Sequence, residues 1–204
     1  MPTGAVITAD IVNFTMLMSS SLEKRMVATL SDVLKDHKFE FYRGDSFQAY
    51  IKDPAEALRL ALQLRTAARN FSFIHDVRVS IGIGQVDTPV RTLRTASSEA
   101  FILSGRAFDQ LSDERRLMIQ SANEAANSAF RVIAFYADFI IRNQTSKQAE
   151  VVGELLKENT QTQVAKKLRK AQGTVNKHAQ AAAWGEIEQL LNEYQNVLTQ
   201  FKIT

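Results

Sequence analysis

The sequence predicts an α+β fold made of two unlike parts. Three observations carry that prediction. Short β-branched runs alternate with helical periods over the first half, a Gly44-Asp45 pair separates two strand-like runs, and from about residue 120 onward apolar residues recur only at helical spacing. At 204 residues the chain suits one large domain or two small ones, and 45% hydrophobic residues suffice for a buried core.

The first strand is the short β-branched apolar run 5–11, which reads as a buried strand. Ser19, Ser20 and Ser21 then offer N-cap side chains to a helix over 22–35, with Leu22, Met26, Leu30, Val33 and Leu34 on one face. Runs 38–43 and 47–51 flank Gly44-Asp45 as a hairpin. Asp53 caps the next helix and Pro54 takes its first position, where a missing N–H costs nothing; Leu58, Leu62 and either Leu60 or Leu64 form its apolar face. Over 77–84, Val77, Val79, Ile81 and Ile83 alternate with Arg78, Ser80 and Gly82, the period of a strand. A helix over about 96–111 follows. The order β-α-β-β-α-β is that of the split βαβ, or ferredoxin-like, arrangement, whose sheet is antiparallel with helices packed on one face. Beyond it, Ala122, Ala126, Ala129 or Phe130, Ile133, Ala137 and Ile140 or Ile141 keep a helical period, and Thr145-Ser146 offers the next N-cap. The expected division is a first domain over 1–119, a connecting helix over 120–145 and a helical domain over 146–204.

The absence of cysteine excludes disulfides, thiolate zinc sites, iron–sulfur clusters and a Cys nucleophile. The formal charge of +3, from 25 Lys and Arg against 22 Asp and Glu, is too small for a polybasic chain, so a basic surface requires local clustering. The N-terminus has no basic leader and Asp10 interrupts its apolar run, so no signal peptide is expected. The most apolar later segment, 129–141, contains Arg131 and Asp138 and falls short of the ~20 residues a bilayer requires. A cytoplasmic protein with no membrane partner is expected. His37, His75 and His178 share no metal-ligand spacing and read as solvated or capping residues.

Two carboxylates stand out. Asp10 ends the first strand and Asp45 tips the hairpin, and the predicted sheet brings both to one end. Close carboxylates repel unless a cation neutralises them, and a hard divalent ion such as Mg²⁺ does so with phosphate oxygens completing its shell. Spacing alone favours the plainer reading, in which Asp10 caps the following turn and Asp45 is a turn residue. Asp10-Ile11-x-x-Phe14-Thr15, the Gly44-Asp45 hairpin and the strand Val79-Ser80-Ile81-Gly82-Ile83-Gly84 together resemble the class III adenylate/guanylate cyclase domain, over about residues 4–110. That resemblance implies that Asp10, Asp45 and the Ile11 carbonyl hold metal, that Phe14, Thr15 and Gly44 border the cofactor, and that Arg106 stabilises the transferring phosphate. It also exposes departures: Phe41 stands where the family has a purine-selecting lysine, and Ile102 where it has a ribose-orienting asparagine. Gly44-Asp45-Ser46-Phe47-Gln48, Ser98-Glu99-Ala100-Phe101 and Ser104-Gly105-Arg106-Ala107-Phe108-Asp109 further resemble the SatD family of bacterial proteins, which implies a cyclase-like fold with a helical C-terminal part and no secure activity.

The segment from Thr160 to Ala179 resembles a helix-turn-helix DNA-binding unit. Val164, Ala165 and Leu168 form the inner face of its first helix, Val175 closes the packing from the second, and Gln172, Thr174, Asn176 and Lys177 remain outward. From Lys157 to Lys177, Lys157, Lys166, Lys167, Arg169, Lys170 and Lys177 stand against Glu158 alone, a cluster that attracts phosphate. Arg169 and Lys170 replace the turn glycine and apolar residue usual in this motif. In the last helix Trp184, Ile187, Leu191, Tyr194, Leu198 and Phe201 form an a/d seam of under three heptads, which packs either on the chain itself or on a second copy. The expected function is a bacterial-type regulator that binds DNA, as a homodimer, and whose degenerate cyclase-like domain senses a nucleotide-like ligand or dimerises. A metal-dependent cyclase or related phosphoryl-transfer enzyme and a non-catalytic adaptor are the alternatives.

Overall fold

The computed structural model describes residues 1–17 and 19–203; Met18 and Thr204, the last residue of the predicted 146–204 region, lie outside the described residues. The sheet is built around β1 (Thr3–Val12), which is buried along nearly its whole length and central in the strand order. β2 (Lys38–Tyr42), β3 (Ser46–Ile51), β4 (Asp76–Gln85) and β5 (Leu117–Ser121) complete a five-stranded sheet in the order β2-β3-β1-β4-β5. β1 pairs antiparallel with β3 (Ala5 opposite Ile51) and with β4 (Ala5 opposite Ile83).

Two expectations are corrected. The sheet is mixed, because β5 runs parallel to β4, with Val79 opposite Leu117 and Ile83 opposite Ser121. Leu117-Met118-Ile119 is a short apolar run that periodicity cannot separate from the start of a helix, and β5 spans the predicted break at 119. Helices also cover both faces of the sheet. Ala5, Ile7, Ala9 and Ile11 face α1 (Ser20–Leu34) and α2 (Ala57–Phe71), while Val6 and Thr8 face α3 (Glu99–Phe108). The crossover from β4 through α3 to the parallel β5 places α3 on the second face.

The seating of α3 depends on glycine. A Cβ on Gly82 would lie 2.2 Å from the Ser104 backbone nitrogen and 2.3 Å from the Ala100 carbonyl oxygen. The bare strand surface lets the helix backbone rest on β4. Thr8 and Ser104 hydroxyls meet at 3.0 Å, and Ser80 Oγ donates to the Ser104 carbonyl at 2.8 Å, so the polar side chains at this contact are satisfied.

The helical half comprises α4 (Glu124–Arg142), α5 (Ser146–Leu155), α6 (Gln161–Leu168), α7 (Gln172–Ala181) and α8 (Trp184–Gln200). Thr145 and Thr160 start α5 and α6 with reciprocal capping boxes through Gln148 and Gln163. The principal core runs from Ala5 to Leu198 and includes Phe130 of α4, Val152 of α5 and Ile187, Leu191 and Tyr194 of α8. The a/d seam of α8 is therefore spent on its own chain: Tyr194 packs 5.6 Å from Phe130 and donates its hydroxyl to the Pro54 carbonyl. A second, smaller core joins α5, α6 and α7 through Val151, Leu155, Val164, Ala165, Val175 and Ala179.

A buried ion network ties α2 to β4 and α4. Arg65, fully buried, donates through Nε and Nη2 to Asp76 at 3.0 and 2.8 Å, and its Nη1 lies 2.7 Å from Asp138. Arg116 reaches Asp76 at 3.2 Å. His75, expected to be solvated or capping, is 4% exposed, and neither ring nitrogen has a hydrogen-bond partner among the described residues. Burial pushes its imidazole below the usual histidine range, against an opposing effect of the Asn13 backbone. Below about pH 6.5 the unfolded histidine takes up a proton that the folded one resists, so stability falls as pH drops through that value. Comparing melting temperatures at about pH 7.5 and 5.5, a His75→Gln variant is expected to lose less on acidification than the wild type.

Candidate functional site

The hairpin and the end of β1 meet as expected. Register places Asp10 opposite Ser46 on one side and Arg78 on the other, and the Ile11 amide donates to the Asp45 carbonyl at 3.0 Å. Gly44 takes φ +83 at the turn, a conformation that glycine adopts without a Cβ penalty, and the Phe14 ring leans on it. Thr15 is exposed in the following single turn.

Spacing did not disclose the partner of Asp10. Both of its carboxylate oxygens accept from Arg78, Oδ1 from Nε at 2.9 Å and Oδ2 from Nη2 at 2.5 Å. Asp45 Oδ1 accepts from its neighbour Ser46 Oγ at 3.2 Å. The cation that two nearby carboxylates require is thus a guanidinium from the adjacent strand. Its hydrogen bond to Asp10 raises the Arg78 pKa against the opposing effect of burial, and Asp10, Asp113 and Asp45 add through charge. Arg78 takes one lone pair on each Asp10 oxygen, and its fixed positive charge opposes a second cation there. As arranged, the donor set fits a guanidinium rather than a divalent metal. Among the described residues no three His, Cys, Asp or Glu side chains gather into a ligand set.

A cleft of about 430 Å³ is lined by Phe41, Tyr42, Arg43, Gln48 and Arg94. The Phe41 ring packs 4.8 Å from Phe47 and joins the core, so the residue in the lysine position serves the sheet. Arg43 follows β2 with φ +56, and Arg94 comes from the loop between β4 and α3 that sequence reading left unassigned. Burial pushes the Tyr42 phenol above its usual range; Arg43 and Arg94 oppose the shift and Asp10 adds to it. Gln48 Nε2 donates to Thr8 Oγ1 at 3.2 Å, and Thr8 meets Ser104, which links the cleft wall to α3. Two arginines, a phenol and an amide around a groove suit an anionic group flanked by a flat ring. Arg106 and Ile102 lie exposed on α3, with no side-chain hydrogen bond to the Asp10–Arg78 pair.

In the C-terminal half, α6 and α7 are joined by a three-residue turn in which Arg169 takes φ +52, the left-handed position where a helix commonly ends. Val175 and Ala179 of α7 are buried, whereas Gln172, Thr174, Asn176 and Lys177 are exposed. The basic cluster is partly neutralised by α5, which precedes the counted window. Lys170 pairs with Glu150 at 2.6 Å, Lys167 with Glu154 at 2.6 Å and Lys157 with Glu154 at 2.9 Å. Burial alone raises the Glu154 carboxyl, but Lys167 and Lys157 outweigh it and hold it below the usual range. Lys166, Arg169 and Lys177 are exposed and make no salt bridge among the described residues.

No protein-family model matches the chain, and no curated protein matches it. The functional reading therefore rests on these sites.

Proposed function

We propose that the chain is a DNA-binding regulator in which α6 and α7 act as a helix-turn-helix, and in which a ferredoxin-like, cyclase-like N-terminal half, similar to the SatD family, senses an anionic nucleotide-like ligand. The observation that carries the DNA reading is the outer face of α7. Gln172, Thr174, Asn176 and Lys177 are exposed together, with Lys166 and Arg169 beside them on α6 and its turn. These are amide and hydroxyl groups that read base edges, beside cations that hold phosphates. The regulatory reading of the first half is supported by the Arg43–Arg94 cleft and by Arg78, whose charge beside Asp10 opposes a metal cation there.

Fluorescence anisotropy with a labelled duplex from the chain's own upstream region tests the proposal. Binding is expected to weaken steeply between 50 and 200 mM salt. Replacing Lys166, Arg169 and Lys177 with alanine is expected to flatten the log–log salt slope by roughly 0.9 per lost phosphate contact, up to about 3. Replacing Lys167 and Lys170, whose charges are engaged by Glu154 and Glu150, is expected to flatten it less. No salt-sensitive binding by the wild type, or an unchanged slope in the triple variant, would sink the DNA reading.

A further inference from the structure

We propose that the outer face of α4 is a homodimer interface in which two copies of the helix pack antiparallel across a two-fold axis. A helix that is apolar all round is normally buried all round. α4 buries Phe130, Ile133, Ala134, Ala137 and Ile141 in the core, yet Val132, Phe135, Tyr136 and Phe139 on its other side are 56, 63, 53 and 53% exposed. Their spacing of 3, 1 and 3 residues places them on one stripe, and exposed Ala125 and Ser128 extend it toward the N-terminus.

The area indicates a partner of this kind. Aromatic side chains carry roughly 150–250 Å² each, so the stripe presents on the order of 400 Å² of apolar surface. A standard interface takes about 800 Å² from each partner, a little over half of it apolar. The stripe supplies that apolar share, and its polar surroundings supply the rim.

Symmetry selects a second copy. A two-fold axis between positions 135 and 136 sets Val132 against Phe139 of the other copy and Phe135 against Tyr136, so the stripe is complementary to itself. The two helix dipoles then run antiparallel. A cleft of about 710 Å³ between α4 and β5, bordered by Ser128, Arg131, Val132 and Phe135, lies where Phe139 of the second copy would enter. β5 is an edge of the sheet, so this face holds the open strand as well.

Because the chain has no cysteine, a single introduced cysteine reports only contacts between copies. Tyr136→Cys, next to the axis, is expected to form a disulfide-linked dimer under mild oxidation at micromolar concentration, whereas Asn196→Cys on the exposed side of α8 is expected to stay monomeric on a non-reducing gel. Sedimentation of the full chain is expected to give twice the 22.9 kDa of one copy. Phe135→Glu is expected to weaken the dimer by at least tenfold with an unchanged circular dichroism spectrum, since the ring is already exposed. A monomeric wild type, a dimer indifferent to Phe135→Glu, equal cross-linking at both cysteines, or a stripe that holds a different protein in place of a second copy would each overturn the proposal.

Discussion

Arg65→Ala is expected to lower the stability of the chain by about 3–5 kcal/mol, the cost of stranding a buried charge. Arg65 is fully buried and stands between two carboxylates that are themselves buried, Asp76 on β4 and Asp138 on α4. Its removal takes away two hydrogen bonds to Asp76 and leaves both acids facing each other with only Arg69, Arg116 and Arg142 at their margins. Urea denaturation followed by circular dichroism is the measurement, and a wild-type midpoint in the variant would refute it. The pH dependence gives an independent check. Burial alone raises the Asp76 carboxyl, but Arg65 outweighs it through charge and hydrogen bonds, with further help from the Val77 amide and Arg116, and the net pKa lies below the ordinary value. A depressed carboxylate contributes stability above its unfolded pKa of about 4 and loses it as pH falls through the lower folded value. The wild type should thus hold its stability down to about pH 4, whereas in Arg65→Ala, where burial prevails and the folded carboxyl lies above its unfolded value, acidification toward about pH 4 should recover part of the lost stability.

The same network shows what the sequence discloses and what it conceals. Strand β1 was legible because a short β-branched apolar run reads as a buried strand. The β2–β3 hairpin was legible because Gly44 must take positive φ, and the α2 entry because Asp53 and Pro54 have local jobs. Each of these depends on neighbours in the chain. Arg78 was visible only as the polar half of an alternation, and nothing in spacing announces that its partner is Asp10, 68 positions away. That single contact puts an internal cation beside a carboxylate expected to hold metal. Likewise Glu150 and Glu154 lie outside the segment over which the basic excess was counted, and only the packing of α5 on α6 and α7 brings them to Lys170 and Lys167. For α4, the periodic reading used the face carrying Ala126, Phe130 and Ile133. A second apolar face on the same helix carries the opposite phase, so it merges with the first into one hydrophobic segment. Exposure, which separates the two faces, is a property of the folded chain.

Gly82→Ala is expected to be the most damaging methyl that can be added to the sheet, and the outcome separates two opposing effects. Inside a strand, alanine would ordinarily gain roughly 0.5–1 kcal/mol over glycine by reducing backbone entropy in the unfolded chain. Here the added carbon would sit 2.2 Å from the Ser104 nitrogen, 2.3 Å from the Ala100 oxygen and 2.8 Å from the Ser104 Cα. All three atoms are α3 backbone, so no side chain can swing aside and the helix must lift as a unit. Overpacking of this kind costs typically 1–3 kcal/mol and more when backbone must move, which outweighs the entropic gain. Lifting α3 also pulls Ser104 from Thr8 and Ser80, and with it the Gln48 wall of the cleft. Gly84→Ala should cost less, because its methyl meets only the flexible end of Glu99, at 2.6 Å from Oε2. Gly105→Ala, on α3 itself with open space around the new carbon, should stabilise by up to about 1 kcal/mol through helix propensity. Thermal melts of the three variants are expected to order them Gly105→Ala above wild type, Gly84→Ala below it and Gly82→Ala lowest. A Gly82→Ala melt equal to the wild type would mean that α3 does not rest on β4 through bare backbone, and the link from that helix to the arginine cleft would fall with it.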